Sequence, residues 1–371
     1  MTRRVWCFAN KFVGTKKVYM YGLSIHVAMN RTILLAAVVA IIVVIGVVAV
    51  LVYRNETVVQ KSTGSTYYPV TVRDASGRNV TLYTSPSRIV SLAPSDTQVL
   101  VSLGLGKELV GVDYYSYLLL KYLNATSDLP QNVTVFSPSI SPNISGIVAL
   151  RPSVVVDELG LIGDYSTQLS EAGLTTFYTN ADYAGNYTAI EKSITTLGKL
   201  FDRNTQAVEL VNWMNTRIHS YESQGDTSVA YLLWVNPDHT FYTAGSNTFI
   251  NTILNLSGGV NVFSNTTGYP VLSPESLIVG NPQIIIAQEL TNLSYTLYMI
   301  NTMPGIANVS AYTNHRVYVM SQNLPTFLLD EPGPLSVYAI QMINLAIKGD
   351  APSYISSAWV ESELNVTLPV F

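Results

Sequence analysis

The chain has a single cysteine, Cys7, in 371 residues. One thiol excludes an internal disulfide framework and any cysteine-rich metal site. Charge is scarce as well. Asp, Glu, Lys and Arg make up 12% of the sequence, against roughly 25% in average soluble chains. There is no basic excess, because 20 Lys and Arg stand beside 24 Asp and Glu. Nothing is left over to neutralise a phosphate backbone, so no nucleic-acid partner is expected. The four histidines, His26, His219, His239 and His315, form no i,i+4 pair. That argues against a histidine metal site. No Gly-x-Ser-x-Gly elbow, phosphate-binding loop or dinucleotide fingerprint occurs. Disorder is excluded by 48% apolar content and a net charge of only −4.

One long apolar run is present. Residues 33–52 carry no charged side chain and are bounded by Arg31 and Arg54. A helix of that length crosses a hydrocarbon core of roughly 30 Å, so a transmembrane anchor is expected over residues 33–53. A buried core helix would show a polar stripe. A cleavable signal has a shorter apolar core ending in small residues. Residues 1–32 hold Arg3, Arg4, Lys11, Lys16, Lys17 and Arg31 and no acid. This end is therefore expected in the cytoplasm, with the rest extracellular and tethered to the cell membrane. Cys7 precedes the span and is not the acylated cysteine of a lipoprotein. Met29 offers a second start, which leaves translation of residues 1–28 open. Asn-x-Ser/Thr sequons begin at Asn55, Asn79, Asn124, Asn132, Asn143, Asn186, Asn255, Asn265, Asn292, Asn308 and Asn365. A sequon-rich, cysteine-poor exterior suits a glycosylated, archaeal cell surface.

Residues 54–67 are polar and read as a tether. Residues 68–83 alternate around Asp74-Ala75-Ser76-Gly77-Arg78, a hairpin with a glycine turn. Arg88-Ile89-Val90-Ser91-Leu92 is a short buried strand. Pro94 opens a helix for which Ser95 or Asp96 is the expected N-cap. Strands alternating with helical stretches predict parallel, doubly wound α/β architecture. Apolar residues at three-to-four-residue steps from Ile190 to Ile218 predict one long helix. The expected order is an N-terminal α/β lobe over 68–186, a linking helix over 187–224 and a C-terminal α/β lobe over 225–371. The lobes also resemble each other. Residues 151–158 match residues 281–288 at an offset of 130, and Ser95-Asp96-Thr97 matches Ser246-Asn247-Thr248.

Two kinds of chemistry are available at the strand ends. Asp157 and Glu158, with Asp164, form a carboxylate group where open α/β sheets bind ligands. Such a pair suits acid–base catalysis or a polar lining. The loops after strands are rich in aromatics: Tyr114, Tyr115, Tyr165, Tyr178, Tyr183, Trp234 and Tyr242. Flat apolar rings with a polar edge suit a bulky, partly polar ligand.

A series of short motifs resembles a known family. They are Arg88 to Thr97, Leu103-Gly104-Leu105-Gly106, Val110-Gly111-Val112 and Ile147-Val148-Ala149-Leu150-Arg151-Pro152. Tyr242-Thr243-Ala244-Gly245, Gly258 to Phe263, Gly268-Tyr269-Pro270-Val271, Arg316-Val317-Tyr318-Val319 and Pro332-Gly333-Pro334 follow in order. Together, over residues 68–350, the chain resembles the iron-siderophore and cobalamin class (class III) of substrate-binding proteins of ABC importers. The resemblance implies two doubly wound lobes on a stiff helical backbone, with a ligand in the cleft and no catalysis. The implied ligand-binding residues are Pro94, Ser95, Tyr114, Tyr115, Asp157, Glu158, Tyr183, Trp234, Tyr242 and Gln288. No resident cofactor is implied; the ligand is an iron chelate or cobalamin. Acids on the inferred cleft loops, Asp157, Glu158, Asp164, Asp182, Asp238, Glu289, Asp330 and Glu331, would repel a catecholate complex. A neutral or cationic hydroxamate chelate or corrinoid fits better. The implied partner is an importer permease, which in relatives meets one exposed glutamate on each lobe. Glu275 occupies that position in the second lobe; the offset of 130 puts Ser145 there in the first. Two alternatives stand beside this reading: an anchored extracellular enzyme using Asp157 and Glu158, and a surface or signalling module without transport.

Overall fold

The structure is a computed structural model that describes residues 67–137, 143–159, 165–180 and 184–371. They fall within the second of two units, Ser65–Phe371. The expected anchor and the tether up to residue 66, together with Asp164, Asp182 and Tyr183, lie outside the described residues. Among the described residues no helix is long and apolar enough to cross a membrane.

The first element is the expected hairpin. Strands β1 (Val70–Arg73) and β2 (Asn79–Leu82) pair antiparallel with Arg73 opposite Asn79. Gly77 takes φ +85°, which a side chain rarely adopts. Asp74 fixes the turn by accepting the Ser76 hydroxyl at 2.6 Å and the Arg78 guanidinium at 2.7 Å.

The first lobe follows as strand–helix repeats. Its strands are β3 (Ile89–Ser91), β4 (Leu109–Asp113), β5 (Thr134–Phe136), β6 (Val154–Glu158) and β7 (Thr176–Thr179). Its helices are α1 (Pro94–Ser102), α2 (Tyr114–Tyr122), α3 (Ile144–Ala149) and α4 (Tyr165–Glu171). The sheet is parallel in the order β5-β4-β3-β6-β7. Residue 94 starts α1 differently from expectation. Ala93 is the N-cap and gives no side-chain bond, while Pro94 takes the first helical position. Proline's missing N–H is harmless there and its φ is already helical. This pushes Ser95 and Asp96 into the first turn and frees the Ser95 hydroxyl for another partner.

The single long linking helix is not observed. Two helices replace it, α5 (Tyr187–Leu200) and α6 (Asn204–Tyr221). Asp202 adopts φ 54°, and the Arg203 N–H turns back to the Gly198 carbonyl at 2.7 Å. That closes α5 with an αL stop. The helices then cross tightly: a Cβ on Gly198 would stand 2.4 Å from the Ala207 Cβ. The apolar steps ran across this break by coincidence. Val208, which fits the helical step, is 54% exposed, and α6 buries Ala207, Leu210, Met214 and Ile218 instead. Helix α5 packs on β1 and α6.

The second lobe begins with β8 (Ser223–Leu232), β9 (Trp234–Val235) and β10 (Phe241–Tyr242). It continues through α7 (Phe249–Leu256), β11 (Ser257–Asn261), β12 (Val271–Leu272), α8 (Pro274–Gly280), β13 (Ile284–Gln288) and α9 (Leu293–Asn301). It ends with α10 (Ser310–Thr313), β14 (Val317–Met320), α11 (Leu324–Asp330), α12 (Val337–Lys348), β15 (Tyr354–Ile355) and α13 (Ser357–Leu364). The main sheet is parallel, β11-β8-β13-β14-β15, and β9, β10 and β12 form a small antiparallel sheet beside it. Helix α6 packs on α12.

The repeat is real in three dimensions. Strands β6 and β13 occupy the same place, next to the first strand of their sheets. Each follows a short helix closed by a left-handed residue, Arg151 (φ 47°) and Asn281 (φ 37°), 130 positions apart. Val154, Val156, Ile284 and Ile286 all enter one core that runs through both lobes and both linking helices. Val155 and Ile285 enter separate cores on the opposite faces. Each such fully buried aliphatic side chain stabilises by about 1.5–3 kcal/mol. A shared core of this kind resists hinge motion between the lobes.

Candidate ligand site at the carboxyl ends of the sheets

Parallel sheets present ligand sites at their carboxyl ends. Helices α1 and α2 follow the ends of β3 and β4; α11 follows the end of β14. Helix α11 packs on α2, and the turn after α11 packs on α1. The carboxyl ends of the two sheets therefore approach one another.

Four expected ligand-binding residues are exposed aromatics at these ends. Tyr114 and Tyr115 are 39% and 50% exposed. They form the first turn of α2 rather than a loop, because Asp113 caps that helix by accepting the Ser116 N–H at 2.9 Å. Their rings meet edge to face with centroids 5.5 Å apart. In the second lobe Trp234 and Tyr242, both about two-fifths exposed, are directly opposed across β9 and β10. Opposed residues of antiparallel strands share a face, so the two rings form one platform. Tyr165 and Tyr178 are buried and belong to the first lobe's outer core.

The other expected residues form a buried polar floor. Pro94 and Ser95 are buried in α1. Asp157 and Glu158 have no exposed surface. Successive strand residues point to opposite faces, and these two do so. Asp157 accepts the Tyr165 hydroxyl at 2.9 Å; Glu158 accepts the Ser95 hydroxyl at 3.0 Å. The two carboxylates therefore do not form one paired group, although they are adjacent in sequence. Burial pushes the Asp157 carboxyl up to about 7, against the Tyr165 and Glu158 N–H bonds that favour its charge. Burial also raises Asp113, which sits in a hydroxyl chain with Ser116, Thr97 and Ser91.

Gln288, repeat partner of Glu158, is half-buried and donates its amide to Asp330. Tyr231, buried in β8, donates to the same carboxylate at 2.5 Å. Asp330 thus pins the ends of β8 and β13 to α11. Glu289 accepts the Tyr354 hydroxyl at 3.1 Å. Asp330 and Glu289 are thus hydrogen-bonded within the lobe while staying partly exposed. Asp238 lies in the exposed β9–β10 turn, bonded to Thr240. Among the described residues no cluster of His, Cys, Asp and Glu is arranged to hold a metal ion. A groove of about 460 Å³ lies between the hairpin turn, the carboxyl end of β7 and α5.

Sequence reasoning missed the Asp330 hub and the contact of Gln98 with Leu335. In the sequence Asp330 is only one acid among several, and nothing in its neighbours marks Tyr231 as its partner. Pro332-Gly333-Pro334 was the available signal for the second contact.

Two doubly wound lobes with aromatic strand ends and a common core define a two-lobed binding protein. Residues 89–324 match the periplasmic binding protein family, and the chain belongs to it. Its role is that of a substrate-binding protein. It is 26% identical over 294 residues to the ABC transporter substrate-binding lipoprotein YvrC of Bacillus subtilis, covering 76% of this chain and 87% of that one. It is 27% identical over 275 residues to a cobalamin-binding protein of Halobacterium salinarum, covering 72% and 71%. Its fold is similar to the periplasmic vitamin B12 binding protein BtuF of Vibrio cholerae. There the TM-score is 0.55 at 21% identity, covering 72% of this chain and 98% of that one. It is also similar to an Fe3+-hydroxamate transport protein of Saccharomonospora viridis, with TM-score 0.61 at 19% identity, covering 76% and 99%.

Proposed function

We propose that the chain captures a corrinoid or ferric hydroxamate chelate outside the cell and hands it to an ABC importer permease. The observation that carries this reading is the pair of aromatic platforms, Tyr114–Tyr115 and Trp234–Tyr242, on the carboxyl ends of two lobes of this family. Large flat complexes with polar rims suit such surfaces. The ligand is cargo, and no resident cofactor takes part. Cobalamin leads the choice because the Halobacterium relative is named for it. Residues 33–53 anchor the chain, and the acid-rich remainder lies outside.

The test is fluorescence titration of the detergent-solubilised full chain with cyanocobalamin, ferrioxamine and haem. Saturable quenching of tryptophan fluorescence by cyanocobalamin or ferrioxamine, lost in Trp234→Phe, supports the reading. A folded chain that binds none of the three refutes it.

A further inference from the structure

The sequons are more numerous than composition requires. From Asn55 onward, 11 of 24 asparagines begin one. With 69 Ser and Thr in 371 residues, chance gives roughly four or five. Ten of the eleven are among the described residues, and all ten asparagines are exposed. Of the other 13 described asparagines only six are exposed. The sequon asparagines are thus more consistently on the surface than asparagine in general.

Three of them also cap helices. Asn143 accepts the Gly146 N–H at 3.0 Å, Asn186 the Ala189 N–H at 3.2 Å and Asn292 the Tyr295 N–H at 2.9 Å. Each cap uses the carbonyl oxygen Oδ1. The amide nitrogen Nδ2 is left outside the cap and makes no hydrogen bond to another described residue. The hydroxyl residues that complete these sequons, Ser145, Thr188 and Ser294, are exposed too. Ser145 donates its hydroxyl to Asn143 Oδ1 at 2.9 Å.

We propose that Asn143, Asn186 and Asn292 carry N-linked oligosaccharides whose attachment leaves the helix caps intact. Transfer forms a bond from Nδ2 to sugar C1 and breaks the C1–O bond of a lipid-linked oligosaccharide phosphate. The phosphate leaves with the electron pair, and Nδ2 loses one proton. The product is still an amide, so Oδ1 still accepts the N–H three residues on. The inference rests on the outward topology proposed above. It places one oligosaccharide beside Ser145, the repeat partner of Glu275.

The experiment is glycopeptide mass spectrometry of the full chain taken from membranes of its own cells, alongside external protease treatment of intact cells. Sugar mass on the peptides containing Asn143, Asn186 and Asn292 is expected. Asn186→Asp keeps a capping oxygen but has no Nδ2, and Thr188→Ala keeps the cap but not the sequon. Both should abolish the modified peptide at that site, and Thr188→Ser should retain it. Unmodified peptides at all three positions, in a chain whose ectodomain the protease removes, overturn the proposal. An ectodomain shielded from the protease overturns the topology first and the proposal with it, so the two failures are distinguishable.

Discussion

The Oε1 atom of Gln98, in the first lobe, accepts the backbone N–H of Leu335, in the second, at 3.0 Å across 237 residues of chain. The bond is buried. Gly333 allows it, since a Cβ there would stand 2.5 Å from the same oxygen. Nearby, the Tyr187 and Ser336 hydroxyls meet at 3.0 Å. The Phe371 N–H reaches the Ser102 carbonyl at 2.9 Å, so the C-terminal tail also returns to the first lobe. The lobes are thus fastened at two points besides the linking helices, Gln98–Leu335 and Ser102–Phe371, and Tyr187 of α5 adds a third contact from a linking helix.

Gln98→Ala should therefore destabilise the chain by about 1–3 kcal/mol, the cost of leaving a buried N–H unsatisfied. Gly333→Ala should cost about 1–3 kcal/mol through overpacking. Urea unfolding midpoints measure both. Wild-type midpoints in the two variants would show that this contact does not fasten the lobes.

A second expectation concerns pH. The folded Asp157 carboxyl titrates at about 7, whereas its ordinary value is 3.8, because burial disfavours its charge. The folded state therefore holds a proton that the unfolded chain releases. Its contribution is fully present below pH ~4 and is lost as pH rises towards 7, by up to about 1.4 kcal/mol per pH unit. Asp157→Asn should flatten this slope. Unfolding midpoints across pH 4–8 decide it, and an unchanged slope in the variant would assign the pH dependence to other groups.

Trp234 and Tyr242 offer a third. Truncation of an anchoring aromatic typically costs about 1–3 kcal/mol of binding, roughly tenfold to a hundredfold in affinity. Trp234→Ala and Tyr115→Ala should each weaken cyanocobalamin or ferrioxamine binding to that extent. Both side chains are substantially exposed, so thermal melting should barely move. Calorimetric titration measures the affinity, and unaltered affinity in both variants would remove the platforms from the site.

The backbone was more legible in the sequence than the site. Short β-branched runs such as Val154-Val155-Val156 and Ile284-Ile285-Ile286 admit little but buried parallel strands. Their repeat at 130 residues announced two lobes. The break at Asp202 was hidden because Phe201 and Val208 continue the helical step, and periodicity cannot tell a buried Val from an exposed one. At the site, residue type indicated chemistry but not orientation. Asp157 and Glu158 read as a pair because they are adjacent, whereas a strand points neighbours apart. The partners of Gln98 and Asp330 lie far along the chain, where local pattern is silent.

The last prediction joins the repeat to the permease. The exposed positions of α3, Ser145, Val148 and Ala149, correspond to Glu275, Ile278 and Val279 of α8 at the offset of 130, and all six are exposed. Both lobes therefore present the same edge, apolar in part, to a partner, but only the second carries a charge there. The Ser273 hydroxyl donates to Glu275 and holds its carboxyl below the usual range, which keeps it ionised. An exposed carboxylate at a helix N-terminus is also favourable to the helix dipole by about 0.3–1 kcal/mol. That local role alone predicts a small stability loss and normal transport. Docking predicts something different. Glu275→Ala should reduce uptake of labelled corrinoid by on the order of tenfold, the value of a charge-assisted contact, while leaving ligand affinity intact. Ser145→Ala removes the Asn143 sequon and any sugar on it but no charge from that edge, so ligand affinity and uptake should both stay unaltered. Uptake by cells carrying each variant, set against binding by the purified chains, separates the two roles. Normal uptake in Glu275→Ala, or a loss of ligand binding, would remove Glu275 from the docking face.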